Sequence, residues 1–128
     1  MALGVVLLAS TSVSANVLVY ECRTLTHHHV KDDGRLGETD WTRMVMERPP
    51  DLLFLPGDGT GRWNGQTFTN FRTVQPASRV NDLVAVQVTR GASVMIPGVT
   101  IRIRAWKSPV TFMLNDDMNV YTGTCTTR

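Results

Sequence analysis

The chain is poor in cysteine, in like-charged runs and in long apolar stretches, and each scarcity removes a class of function. Thirteen Lys and Arg stand against eleven Asp and Glu, a formal net charge of +2. A protein that holds a phosphate backbone carries a one-sided basic load, so no nucleic-acid partner is expected. Eleven of the thirteen cations are Arg, scattered from Arg23 to Arg128, so a polybasic membrane-surface segment is missing as well. The longest apolar stretch, Ala2 to Ala9, falls well short of the roughly 20 residues that span a bilayer.

Catalytic patterns are equally scarce. There is no Gly-x-Ser-x-Gly elbow, and all three histidines sit together at His27-His28-His29, which leaves a Ser or Thr nucleophile elsewhere without a base in reach. Asp58-Gly59-Thr60-Gly61 lacks the Gly-Lys-Ser/Thr of a phosphate-cradling loop and no helix pattern follows it; it reads as a turn. Asp116 and Asp117 are adjacent, so their carboxyls diverge rather than flank a shared substrate. A non-enzymatic protein is expected.

What is present begins with residues 2–9, Ala-Leu-Gly-Val-Val-Leu-Leu-Ala, which give way to Ser10, Thr11, Ser12 and then Val13-Ser14-Ala15. That is the back half of a secretory signal peptide with a small-residue cleavage site after Ala15, although the first cation is Arg23 and the usual positive n-region is lacking. Residues 1–15 are read as a signal peptide and 16–128 as one domain, the remaining length being sufficient for a single core. Cys22 and Cys125, near opposite ends of the mature chain, then meet an oxidising compartment where paired thiols are normally bridged. A periplasmic or secreted location is expected, without stable membrane insertion once the signal is removed. In the loop-entropy account, closing a loop of about 100 residues removes roughly 4.7 kcal/mol of unfolded-chain freedom.

From Asn16 onward the apolar pattern has period two, the mark of strands with one face on a core. Leu18, Tyr20 and Cys22 share a face, as do Tyr121, Gly123 and Cys125, so the two terminal strands are expected to be neighbours. Asp51 to Leu55 runs into the turn Pro56 to Gly61, and Arg62 to Asn64 starts the return. Further strands are read at 67–74, 83–89, 99–106, 110–114 and 118–125, separated by turn formers such as Asn64-Gly65, Pro76 to Asn81, Arg90-Gly91 and Asn115 to Asp117. Val99, Ile101 and Ile103 alternate with Thr100, Arg102 and Arg104, which places both arginines on a solvated face. The exception is Glu38 to Glu47, where Trp41, Met44 and Val45 follow helical spacing after a cap at Thr39 and Pro49-Pro50 ends the run. The expected fold is all-β: an antiparallel meander forming a small barrel or sandwich of about seven or eight strands, with one short helix near 38–47.

Three features are candidate sites. His27 and His29 can share one strand face and, with Asp32 as a third ligand, would suit zinc or copper. Arg62 and Trp63 beside the Gly-rich hairpin are residue types enriched at binding hot spots. Trp41, Trp63, Trp106, Phe68, Phe71 and Phe112 could line a ligand cavity in a closed barrel, whose interior at this size is either packed or holds one small ligand. With Tyr20-Glu21-Cys22 opening the meander and Tyr121-Thr122-Gly123-Thr124-Cys125 closing it, the chain resembles in architecture the inhibitors of C-type lysozyme, small exported barrels of bacterial envelopes. That resemblance implies a disulfide to the last strand and an inhibitory partner. The net positive charge opposes it, because like charges slow encounter with a cationic lysozyme. The function expected first is binding of a small ligand or protein partner in the envelope, with metal binding at His27 and His29 and lysozyme inhibition as alternatives.

Overall fold

The computed structural model describes residues 17–90 and 95–128; the signal-peptide reading of 1–15 and the Gly91 half of the turn read at Arg90-Gly91 fall outside these. Strands β1 (Tyr20–Val30) and β2 (Leu36–Gly37) lead into helix α1 (Asp40–Glu47). Eight more strands follow: β3 (Asp51–Leu55), β4 (Thr60–Trp63), β5 (Gln66–Phe68), β6 (Phe71–Gln75), β7 (Leu83–Arg90), β8 (Met95–Arg104), β9 (Val110–Asp116) and β10 (Asn119–Thr127). All ten form one antiparallel sheet in the order β5-β4-β3-β1-β10-β9-β8-β7-β6, with β2 attached to β1. Two meanders, β3 to β5 and β6 to β10, are thus sewn together by β1.

The sheet curls into a half-barrel, and its connectivity shows why. The two edge strands, β5 and β6, are consecutive in the chain and joined only by Thr69 and Asn70, the latter at φ 67. A link that short brings the far ends of the sheet together. The Phe71 N–H donates to Gly59 O at 3.0 Å, Gln87 Nε2 donates to Thr69 O at 3.0 Å, and the rings of Phe68, Phe71 and Phe54 meet at the seam. Gly59, at φ +67, is required here, since a Cβ on it would stand 2.3 Å from Phe71 O.

The concave face holds the core: Leu52, Phe54, Leu83, Ala85, Ile101, Ile103, Phe112 and Leu114 are buried, together with Tyr20, Cys22, Tyr121 and Cys125. Burying one such Leu, Ile or Phe contributes about 1.5–3 kcal/mol, so Phe54, Ile101 and Ile103, all at 0% exposure, outweigh anything exposed ion pairs add. Cys22 faces Cys125 in the β1–β10 register and the two are bonded, which joins the centre of the sheet.

Helix α1 starts where its cap was expected. The Thr42 N–H donates to Thr39 Oγ1 at 3.1 Å and the Thr39 N–H to Thr42 Oγ1 at 2.8 Å, a reciprocal capping box. After Pro49-Pro50 stops it, Thr24 Oγ1 donates to Pro50 O at 2.5 Å, pinning the helix exit to β1.

Candidate functional site

The sequence period puts Tyr20, Cys22 and Thr24 on the inner face, and strict alternation would send His27 outward. It does not go there. The β1–β10 register slips between Thr24 and Thr26: a β-bulge adds one residue and inverts the faces beyond it. Leu25 and Thr26 are therefore exposed in succession, while His27 is 2% exposed and stacks on Tyr121 at 4.1 Å between ring centroids with planes 14° apart. Trp41 of α1 meets His27 edge-on at 4.9 Å and His29 at 5.9 Å. On the other side of Tyr121, Trp63 of β4 packs edge-on at 4.8 Å. One continuous aromatic stack thus runs Trp63, Tyr121, His27, Trp41.

Asn119 sets the imidazoles. Its Oδ1 lies 3.1 Å from His27 Nε2 and 3.0 Å from His29 Nδ1, so both rings donate to one oxygen and their tautomers follow. His27 Nδ1 is buried without a partner among the described residues. Burial pushes the His27 imidazole below its usual range; the Asn119 bond pulls it up, and the nearby His29 and His28 push it down again. Tyr121 is raised by burial and by the Asp116 carboxylate.

Above this stack lies a cleft of about 340 Å³, bounded by Trp41, Met44 and Arg48 of the helix side, by Trp63 and Asn64, and by Tyr121. Trp63 also borders a smaller apolar cavity of about 150 Å³ inside the curl, with Phe68, Val99, Leu114 and Asp116. The indole is the partition between the two. A cleft of this size sits at the low end of small-ligand sites, and its lining contains one cation and no carboxylate.

Comparison with known protein families, curated proteins and solved structures finds no match.

The sequence-derived candidates separate. Trp63 reaches the cleft, half-buried; Arg62, its neighbour in a strand, faces the other way and lines an open groove beside Glu21, Arg23 and the disulfide. They do not form one contact surface. The Gly-rich hairpin beside them serves closure of the sheet, as Gly59 against Phe71 shows. His27 and His29 do share a face, but the nitrogens that converge do so on Asn119 Oδ1, the position an ion bridging both rings would occupy. Asp32 sits exposed in the turn after β1 and is not brought to them, and among the described residues no group of three or more His, Cys, Asp or Glu is placed to hold a metal ion. Of the six aromatics, Phe112 and Phe71 are buried core, Phe68 and Trp63 border the inner cavity, and Trp106 is exposed elsewhere. Trp41 reaches the site from the helix; helical spacing identified its element, but only the bulge in β1, silent in the sequence, shows what it covers.

Proposed function

We propose that the protein is an exported, non-enzymatic binding protein of the bacterial envelope that takes the apolar, ring-bearing part of a small ligand into the cleft between Trp41 and Trp63. The observation that carries this reading is two indoles from separate elements flanking one cleft over a buried Tyr121. Aromatic walls bury large area and favour ring-shaped guests. Arg48 at the margin suits an acidic substituent on that guest, with nothing of opposite charge in the lining to compete. The polar groups present are an Arg, an Asn and a Tyr whose pKa is raised by burial; these orient a ligand and do not exchange protons near neutral pH. The disulfide supports an oxidising compartment.

Titration with 1-anilinonaphthalene-8-sulfonate, an apolar ring system with an anionic group, tests the cleft. One-site binding by the native protein is expected, weakened about tenfold in Trp41→Ala, which removes a side chain 44% exposed and should spare the fold. Arg62→Ala, on the opposite face, should leave the affinity as it is. Equal affinity in all three proteins would remove the cleft as the binding site.

A further inference from the structure

The convex face carries a second cluster that owes nothing to the cleft. Asp82, just before β7, has a side chain only 5% exposed and receives three donors from β8 and the turn after it. Arg102 Nε stands 2.7 Å from Oδ2, Trp106 Nε1 2.7 Å from Oδ1, and Arg104 Nε 3.3 Å from Oδ1. Burial raises the Asp82 carboxyl, but the bonds from Arg102, Trp106 and Arg104 outweigh it and hold the pKa below the usual range. Gln75 Nε2 fixes the same residue's main chain through Asp82 O at 2.7 Å.

Two guanidiniums at alternate positions of one strand stand side by side and repel. A single buried carboxylate between them offsets half of that charge and aligns both. The contact is made through Nε in each case, so the terminal Nη atoms, the fork that reads oxyanions bidentately, have no partner among the described residues. Both side chains remain about half exposed, 50% and 46%. Lys107 stands beside them, its Nζ 5.9 Å from the Trp106 ring centre, which Arg104 Cζ approaches to 5.7 Å.

These arginines border a groove of about 490 Å³ that also takes in the hydroxyls of Thr26, Thr111, Thr122 and Thr124. Cross-strand register builds it in two rows: Arg104 opposes Thr111, which opposes Thr124, while Arg102 opposes Met113, which opposes Thr122 and then Thr26. Asp82 is the one carboxylate in the lining, and it is already spent on its three donors. The Thr26 and Thr122 hydroxyls bond each other, so the groove keeps a net positive charge with Thr111 and Thr124 as its remaining hydroxyl-bearing residues. A purely structural ion pair needs one arginine; the second leaves the groove with an excess cationic charge that favours an incoming anion.

We propose that this groove binds a tetrahedral oxyanion, a phosphate or sulfate group, through the Nη forks of Arg102 and Arg104 with threonine hydroxyls beside them. Asp82 is a positioning residue. The test follows the Trp106 Nε1–H resonance in 1H-15N spectra of the disulfide-bonded protein during titration with inorganic phosphate, inorganic sulfate and phenyl phosphate. Saturable shifts at millimolar anion are expected, absent with sodium chloride of equal ionic strength. Arg102→Lys and Arg104→Lys keep the charge and a bond to Asp82 but lose the fork, and should each weaken binding at least fivefold with the melting temperature little changed. Trp41→Ala should bind phosphate normally, which separates this site from the cleft. Tighter binding of phenyl phosphate than of the free ions would identify an esterified ligand; equal binding would identify the free anion. Identical shifts with chloride, or unaltered half-saturation in both Lys variants, would overturn the proposal.

Discussion

His27 is an imidazole with nowhere to put a second proton. Its Nε2–H is committed to Asn119 and its Nδ1 is buried between rings. Because its folded pKa lies below the ordinary value, the unfolded chain takes up the proton first as pH falls below about 6.5. Stability contributed by the neutral ring is complete above that pH. It declines on acidification until the folded pKa is reached, at a rate of at most ~1.4 kcal/mol per pH unit for one proton. Urea unfolding at pH 7.5 and 5.5 should show a lower midpoint at 5.5, with most of the difference removed in His27→Phe. An equal drop in both proteins would assign the effect elsewhere. Asp82 runs the other way: its folded pKa is depressed, so its contribution is present above about pH 3.9 and lost only as pH falls through the lower folded value. The histidine window opens at the higher pH. Of these two residues the sequence pointed to one. The histidine triplet announced itself, whereas Asp82, directly after the turn formers Pro76 to Asn81, carries no mark of its own; its role depends on Arg102, Arg104 and Trp106, about 20 residues away, a distance that only pairing of β7 with β8 closes.

At the scale of elements, the extra residue in β1 decides where the aromatic stack forms. Inserting one residue between Thr26 and His27 would turn His27 to solvent, or else shear β1 against β10. The expected outcome is loss of the near-ultraviolet signal of the packed Trp41, Tyr121 and Trp63, and a destabilisation of several kcal/mol, on the scale of about 3–5 for emptying a core site. A full native near-ultraviolet spectrum would show that the register of β1 beyond the bulge does not position the stack. Helix α1 offers a finer test. Thr39→Ala removes the side-chain half of the capping box and should cost about 1 kcal/mol, with weakened dye binding in the cleft because Trp41 and Met44 ride on that helix. Elements with simple alternation were legible: Asp51–Leu55 was read to the residue, and α1 within two. The stretch read as one strand over 67–74 is two, because Asn70 takes a left-handed φ of 67 and turns the chain from one sheet edge to the other. Nothing in Thr69-Asn70 looks stronger than other polar pairs, and the reversal exists only because the sheet curls. Arg62 and Trp63 were read together as a surface, though adjacent residues of a strand cannot share one.

For the whole molecule, the neighbouring terminal strands and their bond were accessible from the sequence because Tyr and Cys repeat on matching faces at both ends. The strand total was not: ten form among the described residues where about seven or eight were expected, the excess coming from the divided 67–74 stretch and the small β2. Reduction of Cys22–Cys125, which closes a span of 103 residues, should lower unfolding free energy by about 2–5 kcal/mol, read as a fall in urea midpoint on adding dithiothreitol. No change would mean that β1 and β10 are held by their ladder alone.

The position of β1 in the sheet bears on how such a molecule is made. Its full-length partner is β10, and apart from that strand only Tyr20 to Arg23, on β3, and His29 and Val30, on β2, have anything to pair with. Whenever β1 forms ahead of β10, Thr24 to His28 stay unmatched until residues 119–127 arrive. The β-sheet is then completed at its middle, and loss of β10 would leave two half-sheets joined only at the β5–β6 seam.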